Sequence, residues 1–274
     1  MVSRGFRLAT GAFIIALGVA TGTACAQGAR TVINAATNTT YPPFKFKDPK
    51  TDKIVGFDID LLEAMAAKMG AKVNWTEASF SQLLSSIQTK RADVIVDLAD
   101  TPQRRESADF LNYLNEYSVF ITLREHAAQF PSPQALCGKK VAASRATAWP
   151  SYVTKWSEAH CTKVGKPAIN VVEVTLTSDM PLALNQGRVD ASVTGAGTLA
   201  YQNDQENNRY VAITRLNQGD LISYGFSKDD PELGQALKQA LAAVMADGTY
   251  KDLIRKWKLA EDSGLERPMI NGQP

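Results

Sequence analysis

The sequence predicts an α/β fold made of two similar units. Short apolar runs typical of buried strands alternate with segments whose apolar residues recur at helical spacing, which indicates parallel sheets with crossover helices. Two similar passages also occur at matching places: Lys90-Arg91-Ala92-Asp93 precedes the predicted strand 94–96, and Gly187-Arg188-Val189-Asp190 precedes the predicted strand 191–193. With 274 residues, 45% of them hydrophobic, the chain can bury two cores. We therefore expect two lobes.

The first predicted unit contains two helices with recognisable starts. Asp58 is placed to cap a helix whose apolar stripe runs to Met69, and Gly70 follows its end. Ser79 is placed to cap a second helix with Phe80 on its apolar face. The predicted strands around these helices are 31–36, 54–57, 72–76 and 94–96.

The second predicted unit repeats the alternation, and two further helices follow it. Apolar stripes that include Leu237 and Ile254 mark the last two helices. The predicted strands are 140–143, 170–174, 191–193, 211–214 and 221–226, and the predicted helices are 150–159, 179–186, 231–246 and 249–257.

The N-terminus has the pattern of a secretory signal peptide. Arg4 and Arg7 precede the apolar run 8–19, and Ala24-Cys25-Ala26 offers a cleavage site, so we expect residues 1–26 to be removed on export. A lipid-modified Cys25 is the alternative, although Gly22 stands where a bulky aliphatic residue is expected.

Two cysteines remain in the expected mature chain. Cys137 and Cys161 are 24 positions apart, and an oxidising compartment favours a disulfide between them. Two buried free thiols are the alternative. The chain has two histidines and no Cys-x-x-Cys motif, so we expect no metal and no cofactor.

The charge pattern argues against nucleic acid as a partner. The formal net charge is +2, and the basic residues are scattered rather than clustered with aromatic residues.

Thr101-Pro102-Gln103-Arg104 predicts the start of a helix that could bind an anion. Thr101 suits the cap and Pro102 the first helical position, because proline has no N–H to leave unpaired. A cation in the first turn opposes the helix dipole, so stability alone does not explain Arg104. Its forked guanidinium beside exposed N–H groups suits a carboxylate, and an ordinary surface ion pair is the alternative.

Residues 195–200 match the G-x-G-x-x-A pattern of dinucleotide-binding turns. The next predicted strand ends in Arg215, with no acidic residue for a ribose. We therefore expect these glycines to make room at a cleft rather than to bind a nicotinamide cofactor.

An ordered set of motifs spans nearly all of the expected mature chain and resembles a known family. That family is the bacterial extracellular solute-binding proteins, family 3, the substrate-binding receptors of polar amino acid ABC importers. The motifs are Tyr41-Pro42-Pro43-Phe44, Gly56-Phe57-Asp58-Ile59-Asp60-Leu61, Arg91-Ala92-Asp93, Thr101-Pro102-Gln103-Arg104-Arg105, Asp109-Phe110, Gly187-Arg188-Val189-Asp190 and Ala246-Asp247-Gly248-Thr249-Tyr250.

The resemblance implies a two-lobed periplasmic-binding-protein fold, the Venus flytrap, with two crossing strands between the lobes. It implies a discontinuous first lobe, residues 27–115 and 220–274, and a second lobe, residues 116–219. An amino acid or related small carboxylate would bind between the lobes, and hinge closure would signal to an inner-membrane permease. We expect a periplasmic monomer that is not an enzyme.

The resemblance also implies binding residues. Arg104 would clamp the ligand carboxylate, and Thr147 from the second lobe would donate a hydroxyl hydrogen bond. Tyr41 and Phe44 match the aromatic wall of the cleft, although Phe44 in the core with only Tyr41 facing the ligand is an equal alternative. Trp149 would be a lid or a packing residue.

Four positions depart from the family pattern. Gly195 stands where an acidic residue usually holds the ligand ammonium, Asn38 where an Asp is common, and Ala99 where a hydroxyl residue is common. Asp97 is an unexpected acid at the end of a strand. It could supply the missing negative charge, or it could pair with Arg145 or Arg105, since buried charges are usually paired.

An enzyme of the same fold is the alternative function. Some proteins of this fold resemble periplasmic cyclohexadienyl dehydratases, whose substrates carry carboxylates but no ammonium group. Catalysis would need an acid in the cleft, for which Asp97 or Glu173 could be nominated.

Overall fold

The computed structural model describes residues 1–2 and 30–274. The predicted signal peptide from residue 3 onward and the alternative lipid site at Cys25 lie outside the described residues. Within the described part, no helix combines the length and the apolar character that crossing a bilayer requires.

Strands and helices alternate through residues 30–274, and the elements predicted from the sequence lie within a few residues of their predicted bounds. The strands at 40–41, 45–47, 109–116, 118–123 and 264–270 and the helix at 196–205 are additional. The strands are β1 (Val32–Thr37), β2 (Thr40–Tyr41), β3 (Lys45–Lys47), β4 (Ile54–Val55), β5 (Lys72–Glu77), β6 (Val94–Ala99), β7 (Asp109–Glu116), β8 (Ser118–Leu123), β9 (Lys140–Ser144), β10 (Asn170–Val174), β11 (Ala191–Gly195), β12 (Tyr210–Arg215), β13 (Asp220–Phe226) and β14 (Gly264–Ile270). The α-helices are α1 (Phe57–Lys68), α2 (Leu83–Gln88), α3 (Pro102–Arg105), α4 (Trp149–His160), α5 (Asp179–Asn185), α6 (Ala196–Gln205), α7 (Pro231–Ala246) and α8 (Thr249–Lys256).

Two sheets form the centres of two lobes. The first lobe contains six strands in the order β14-β7-β13-β6-β1-β5, and the second contains five in the order β10-β9-β11-β8-β12. Parallel pairing joins β1 to β5 and β6, and β9 to β10 and β11. The remaining pairs in each sheet are antiparallel, so the predicted parallel pairing holds for part of each sheet and both sheets are mixed.

The antiparallel strands follow from the connections between the lobes. Strand β7 leads out of the first sheet toward β8, with Tyr117 between them, and β13 returns after residues 216–219. Because one strand leaves and the other returns, β7 and β13 run in opposite directions and pair side by side. The predicted crossing strands near 115–118 and 219–222 coincide with these connections.

Helix α1 begins differently from its prediction. It starts at Phe57 after Gly56, and Asp58 is buried in the first turn without capping it. Gly56 has φ 144°, and a Cβ atom there would lie 2.0 Å from the carbonyl oxygen of Phe44. Only glycine fits that backbone approach, so the close contact determines this helix start, and a side-chain cap does not.

Ser79 and Thr101, the other two predicted caps, each precede a helical turn in the structure. Ser79 Oγ donates to Gln82 Oε1 at 2.9 Å where a 3₁₀ turn leads into α2. Thr101 Oγ1 accepts a hydrogen bond from the Arg104 backbone N–H at 3.3 Å, with Pro102 in the first position of α3.

A disulfide joins Cys137 and Cys161 in the second lobe, as predicted. Cys137 follows a 3₁₀ turn, and Cys161 ends α4 within a core that includes Phe120 and Trp156. The bond therefore tethers both ends of the segment that carries Thr147.

The carboxyl ends of several parallel strands face the boundary between the lobes, and the lobes touch there. Thr177 Oγ1 of the second lobe donates to the Thr40 carbonyl oxygen of the first at 2.8 Å. The Gly195 backbone N–H donates to Tyr41 Oη at 3.0 Å. These contacts show the two lobes closed over the cleft between them.

Candidate functional site

A cleft between the lobes contains most of the predicted binding residues. Arg104, Asn38, Asp97, Ala99 and Tyr41 line it from the first lobe and Thr147 from the second, whereas Phe44 and Gly195 do not line it. The other lining residues are Lys45, Phe80, Glu116, Ser118, Ala148, Trp149, Thr177, Asp220 and Ile222.

Arg104 is held in position by backbone carbonyls rather than by an acid. Its Nη1 donates to the Ala99 oxygen at 2.9 Å and its Nη2 to the Ala146 oxygen at 3.2 Å, across the lobe boundary. The guanidinium carbon lies 5.6 Å from the centre of the Phe80 ring. Among the described residues Arg104 forms no ion pair. Desolvation lowers the pKa of Arg104, and a ligand carboxylate would offset that cost.

Aromatic rings form one wall of the cleft. Tyr41 is buried, and its ring centre lies 6.0 Å from that of Trp149. Phe44 stacks on the other side of Tyr41 at 5.5 Å, 1% exposed, so it supports the wall from within the core. Phe80 completes the wall. Sequence reasoning missed Phe80 because it assigned the residue to the apolar face of a helix.

Thr147 and Trp149 belong to the turn that opens α4. Thr147 Oγ1 donates to the Ser144 carbonyl oxygen at 2.5 Å and accepts from the Trp149 N–H at 3.2 Å. The hydroxyl proton is thus already used, and Thr147 must turn its hydroxyl to donate to a ligand. The indole N–H of Trp149 donates to Ser118 Oγ at 2.8 Å, which fixes its ring over the cleft.

Asn38 brings an unused acceptor to the cleft. Its Nδ2 donates to Thr40 Oγ1 at 3.0 Å, whereas its buried Oδ1 has no hydrogen-bond partner among the described residues. Ala99 contributes its carbonyl oxygen to Arg104 and leaves a small apolar surface on the cleft.

Asp97 is already neutralised. Lys45 Nζ lies 2.7 Å from Asp97 Oδ2, and their side chains are 1% and 9% exposed. Neither Arg145 nor Arg105 is the partner, and Arg105 pairs with Asp100 instead. Sequence reasoning did not consider Lys45, because a lysine near a turn is normally exposed.

Glu116 is a second acid that sequence reasoning missed. It ends β7, lines the cleft, is 9% exposed, and accepts a hydrogen bond from the Gly197 backbone N–H at 3.0 Å. Desolvation, and then the neighbouring charge of Asp97, raise the pKa of Glu116 to about 8. Its position in a crossing strand gave no sequence signal of a ligand contact.

Asp220 is the third acid on the cleft, at the start of the returning strand β13. It accepts hydrogen bonds from Tyr152 Oη at 2.9 Å and Asn217 Nδ2 at 2.8 Å. Burial raises the pKa of Asp220, and these two donors oppose the increase. Because Tyr152 belongs to the second lobe, Asp220 also helps to hold the lobes together.

The glycine-rich segment after β11 does not present a dinucleotide-binding turn. The N–H of Gly195 is used by Tyr41 and the N–H of Gly197 by Glu116, so the donors that would hold a pyrophosphate are occupied. A Cβ atom on Gly195 would lie 2.3 Å from Tyr41 Oη and 2.6 Å from Glu116 Oε1. The glycines make room for the cleft wall.

Glu173, nominated as a catalytic acid, is exposed in β10 and does not line the cleft. The described residues also hold no cluster of three or more potential metal ligands.

Known proteins match both the sequence and the structure. The family model of bacterial extracellular solute-binding proteins, family 3, matches residues 33–260. The arginine-binding protein ArgT of Corynebacterium glutamicum is 27% identical over 246 residues, covering 89% of this chain and 80% of the relative.

Two solved structures share the fold. An ancestral arginine-binding protein bound to arginine has a TM-score of 0.74 at 28% identity, covering 84% of this chain and 99% of the other. The ancestral amino acid-binding protein AncCDT-1, a precursor of cyclohexadienyl dehydratase, has a TM-score of 0.70 at 26% identity, covering 82% and 95%. The chain belongs to the bacterial extracellular solute-binding proteins, family 3.

Proposed function

We propose that the protein is the substrate-binding receptor of an ABC importer. It binds an amino acid or a related small carboxylate in the cleft and delivers it to an inner-membrane permease. Family membership and the arginine-binding relatives support this function.

The observation that carries the proposal is the half-buried Arg104. Its guanidinium faces the cleft without an acidic partner among the described residues, beside a wall of aromatic rings. A half-buried guanidinium without a directly paired carboxylate is costly, and a bound carboxylate offsets that cost with two parallel hydrogen bonds. Tyr41, Phe80 and Trp149 then cover the rest of a small ligand.

Transport requires opening and closing of the cleft. We place the lobe boundaries at 27–115 with 220–274 and at 116–219, so that both connections between the sheets act as hinges. Hydrogen bonds across the boundary, such as Thr177 to Thr40, stabilise the closed form that a permease would recognise. We also propose that the protein is exported to the periplasm and acts as a monomer.

A thermal-shift screen of the purified protein tests the function. The panel contains the twenty L-amino acids, amines, opines and small carboxylates. A true ligand at about 100 times its Kd stabilises the fold by about 2.7 kcal/mol. Carboxylate ligands as hits support the proposal. A panel in which no carboxylate shifts the melting temperature contradicts it.

Arg104→Lys then tests the clamp. Lysine keeps the charge but loses the fork, so calorimetry should show affinity about 10- to 100-fold weaker. The control is Arg105→Lys on the same helix, where the partly exposed arginine pairs with the buried carboxylate of Asp100 and does not line the cleft. Equal affinities for the two variants would mean that Arg104 is not the clamp.

One observation favours an enzyme as second candidate. Glu116 is a buried acid on the cleft whose pKa is raised to about 8, which suits a proton donor. Incubation with prephenate or a related cyclohexadienyl acid, followed by chromatography, separates the two functions. A receptor returns the acid unchanged, whereas a dehydratase converts it.

A further inference from the structure

The carboxyl group of Glu116 occupies the space in front of Gly195. A Cβ atom on Gly195 would lie 2.6 Å from Glu116 Oε1 and 2.8 Å from its carboxyl carbon. A side chain at 195 would therefore enter the volume that the Glu116 carboxyl group already fills. The chain thus places a carboxyl group, from a different strand, beside position 195, where the resemblance to the family implies the acid that holds the ligand ammonium.

Among the described residues, Glu116 is the cleft acid without a side-chain partner. Asp97 is paired with Lys45 at 2.7 Å, and Asp220 is held by Tyr152 and Asn217. Glu116 accepts one hydrogen bond among the described residues, from the backbone N–H of Gly197. Lys45 is therefore committed to Asp97, and Glu116 has room for a further donor.

We propose that Glu116 binds the ammonium group of the ligand while Arg104 binds its carboxylate, so that the natural ligand is a zwitterionic amino acid. This inference rests on the proposed function. It names a specificity residue that replaces the missing acid at position 195. Asn38 Oδ1, a buried acceptor without a partner, offers the ligand a second contact in the same cleft.

Binding then couples to a proton. The groups that face Glu116 leave it without a compensating cation, and burial raises its pKa to about 8. At neutral pH the empty cleft therefore holds a protonated Glu116, and an incoming ammonium group displaces that proton to solvent. The groups are Asp97 on β6, Asp220 on β13, Tyr41 on β2, Asp58 on α1 and the Gly197 N–H on α6.

The first test compares two ligands and two variants. The ligands are the L-amino acid with the largest thermal shift, beginning with L-arginine, and the same molecule without its α-amino group. Glu116→Gln should weaken the affinity for the amino acid about 10- to 100-fold. Its affinity for the deaminated acid should change by less than about threefold. The matched control, Asp220→Asn, removes another cleft acid and should weaken both ligands to a similar extent.

The second test needs no variant. Calorimetry of wild-type protein at pH 7 in two buffers of different ionisation enthalpy counts the protons exchanged. The inference predicts release of close to one proton with the amino acid and none with the deaminated acid. This measurement stands even if Glu116→Gln fails to fold.

Each outcome bears on a separate claim. Loss of affinity by Glu116→Gln for both ligands alike, or for neither, overturns the inference and leaves the receptor function intact. Binding of the amino acid by the wild type without proton release also overturns it. A wild-type protein that binds the deaminated acid more tightly than the amino acid likewise overturns the inference. If no carboxylate binds at all, the proposed function fails, and the inference fails with it.

Discussion

The buried ion pair between Lys45 and Asp97 gives the most quantitative prediction. Its Nζ–Oδ2 distance is 2.7 Å, and the two side chains are 1% and 9% exposed. The other hydrogen bonds of Lys45 are long, at 3.5 Å to the carbonyl oxygens of Val96 and Asp97. Asp97→Asn would therefore leave a buried ammonium group without an adequate counter-charge.

The expected cost is large for a single substitution. Breaking one partner of a buried ion pair costs about 3–5 kcal/mol, and a chain of this size loses about 2 °C in Tm per kcal/mol. Asp97→Asn should therefore lower Tm by about 6–10 °C. Lys45→Met combined with Asp97→Asn should recover most of that loss, because no unpaired charge then remains in the core.

Calorimetric melting and urea unfolding of the two single variants and the double variant measure the coupling. Lys47→Met is the matched control, because Lys47 lies on the same strand and pairs at 2.7 Å with Glu77, but both side chains are more than 40% exposed. That exposed pair should contribute less than about 1 kcal/mol.

Two results would refute this reasoning. One is an Asp97→Asn variant as stable as the Lys47→Met control. The other is an Asp97→Asn variant that keeps its stability but loses affinity for an amino acid far more than for its deaminated analogue. The second result would make Asp97 the ligand's counter-charge, the role that the sequence first suggested.

Three further predictions follow from the site and the second lobe. Because Glu116 has a folded-state pKa of about 8 against an ordinary 4.5, the empty folded protein binds a proton that the unfolded chain has lost, so its free energy of unfolding should fall between about pH 4.5 and 8. Urea titrations should show that the free energy of unfolding of Glu116→Gln falls less steeply with pH. The affinity of the wild type for the amino acid should rise with pH over the same window. Reducing the bond between Cys137 and Cys161 should cost about 3 kcal/mol, measured by unfolding with and without reductant. Gly195→Ala should weaken ligand binding without unfolding either lobe, because its Cβ atom would meet Tyr41 Oη at 2.3 Å and hold the cleft open; small-angle scattering with ligand would show whether it closes.

Local rules explain what the sequence predicted well. The cap at Thr101, the proline after it and the start of α7 at Pro231 each depend on residues within one turn of the chain. The strand bounds of β10 and the full length of α7 likewise follow from composition and periodicity within the segment. Arg104 could be predicted as a carboxylate-binding residue because the unfavourable placement of a cation in the first turn of a helix is also a local feature.

Features that depend on distant partners could not be predicted. Asp58 has the residue type and position of a cap, but the approach of Gly56 to Phe44 fixes the helix start and buries the carboxyl group. Phe80 fits a helical stripe equally well whether it faces the core or the cleft. The side of the helix that meets Arg104 depends on the packing of the whole lobe.

Asp97 and Gly195, the two unexpected residues of the cleft, are each explained by a second residue that contacts them. An acid at position 97 would be costly in a buried strand end, and Lys45, 52 residues earlier, removes that cost. Glycine at position 195 would leave a gap, and Glu116, 79 residues earlier, fills it. The Lys45–Asp97 pair adds no net charge. In the pair of Gly195 and Glu116, the acid lies in a crossing strand instead of at the helix start, where the family resemblance implies it. A position-by-position comparison therefore concludes that the ammonium site is lost, whereas the site proposed on Glu116 lies in a crossing strand, where ligand charge and lobe closure would act on the same residue.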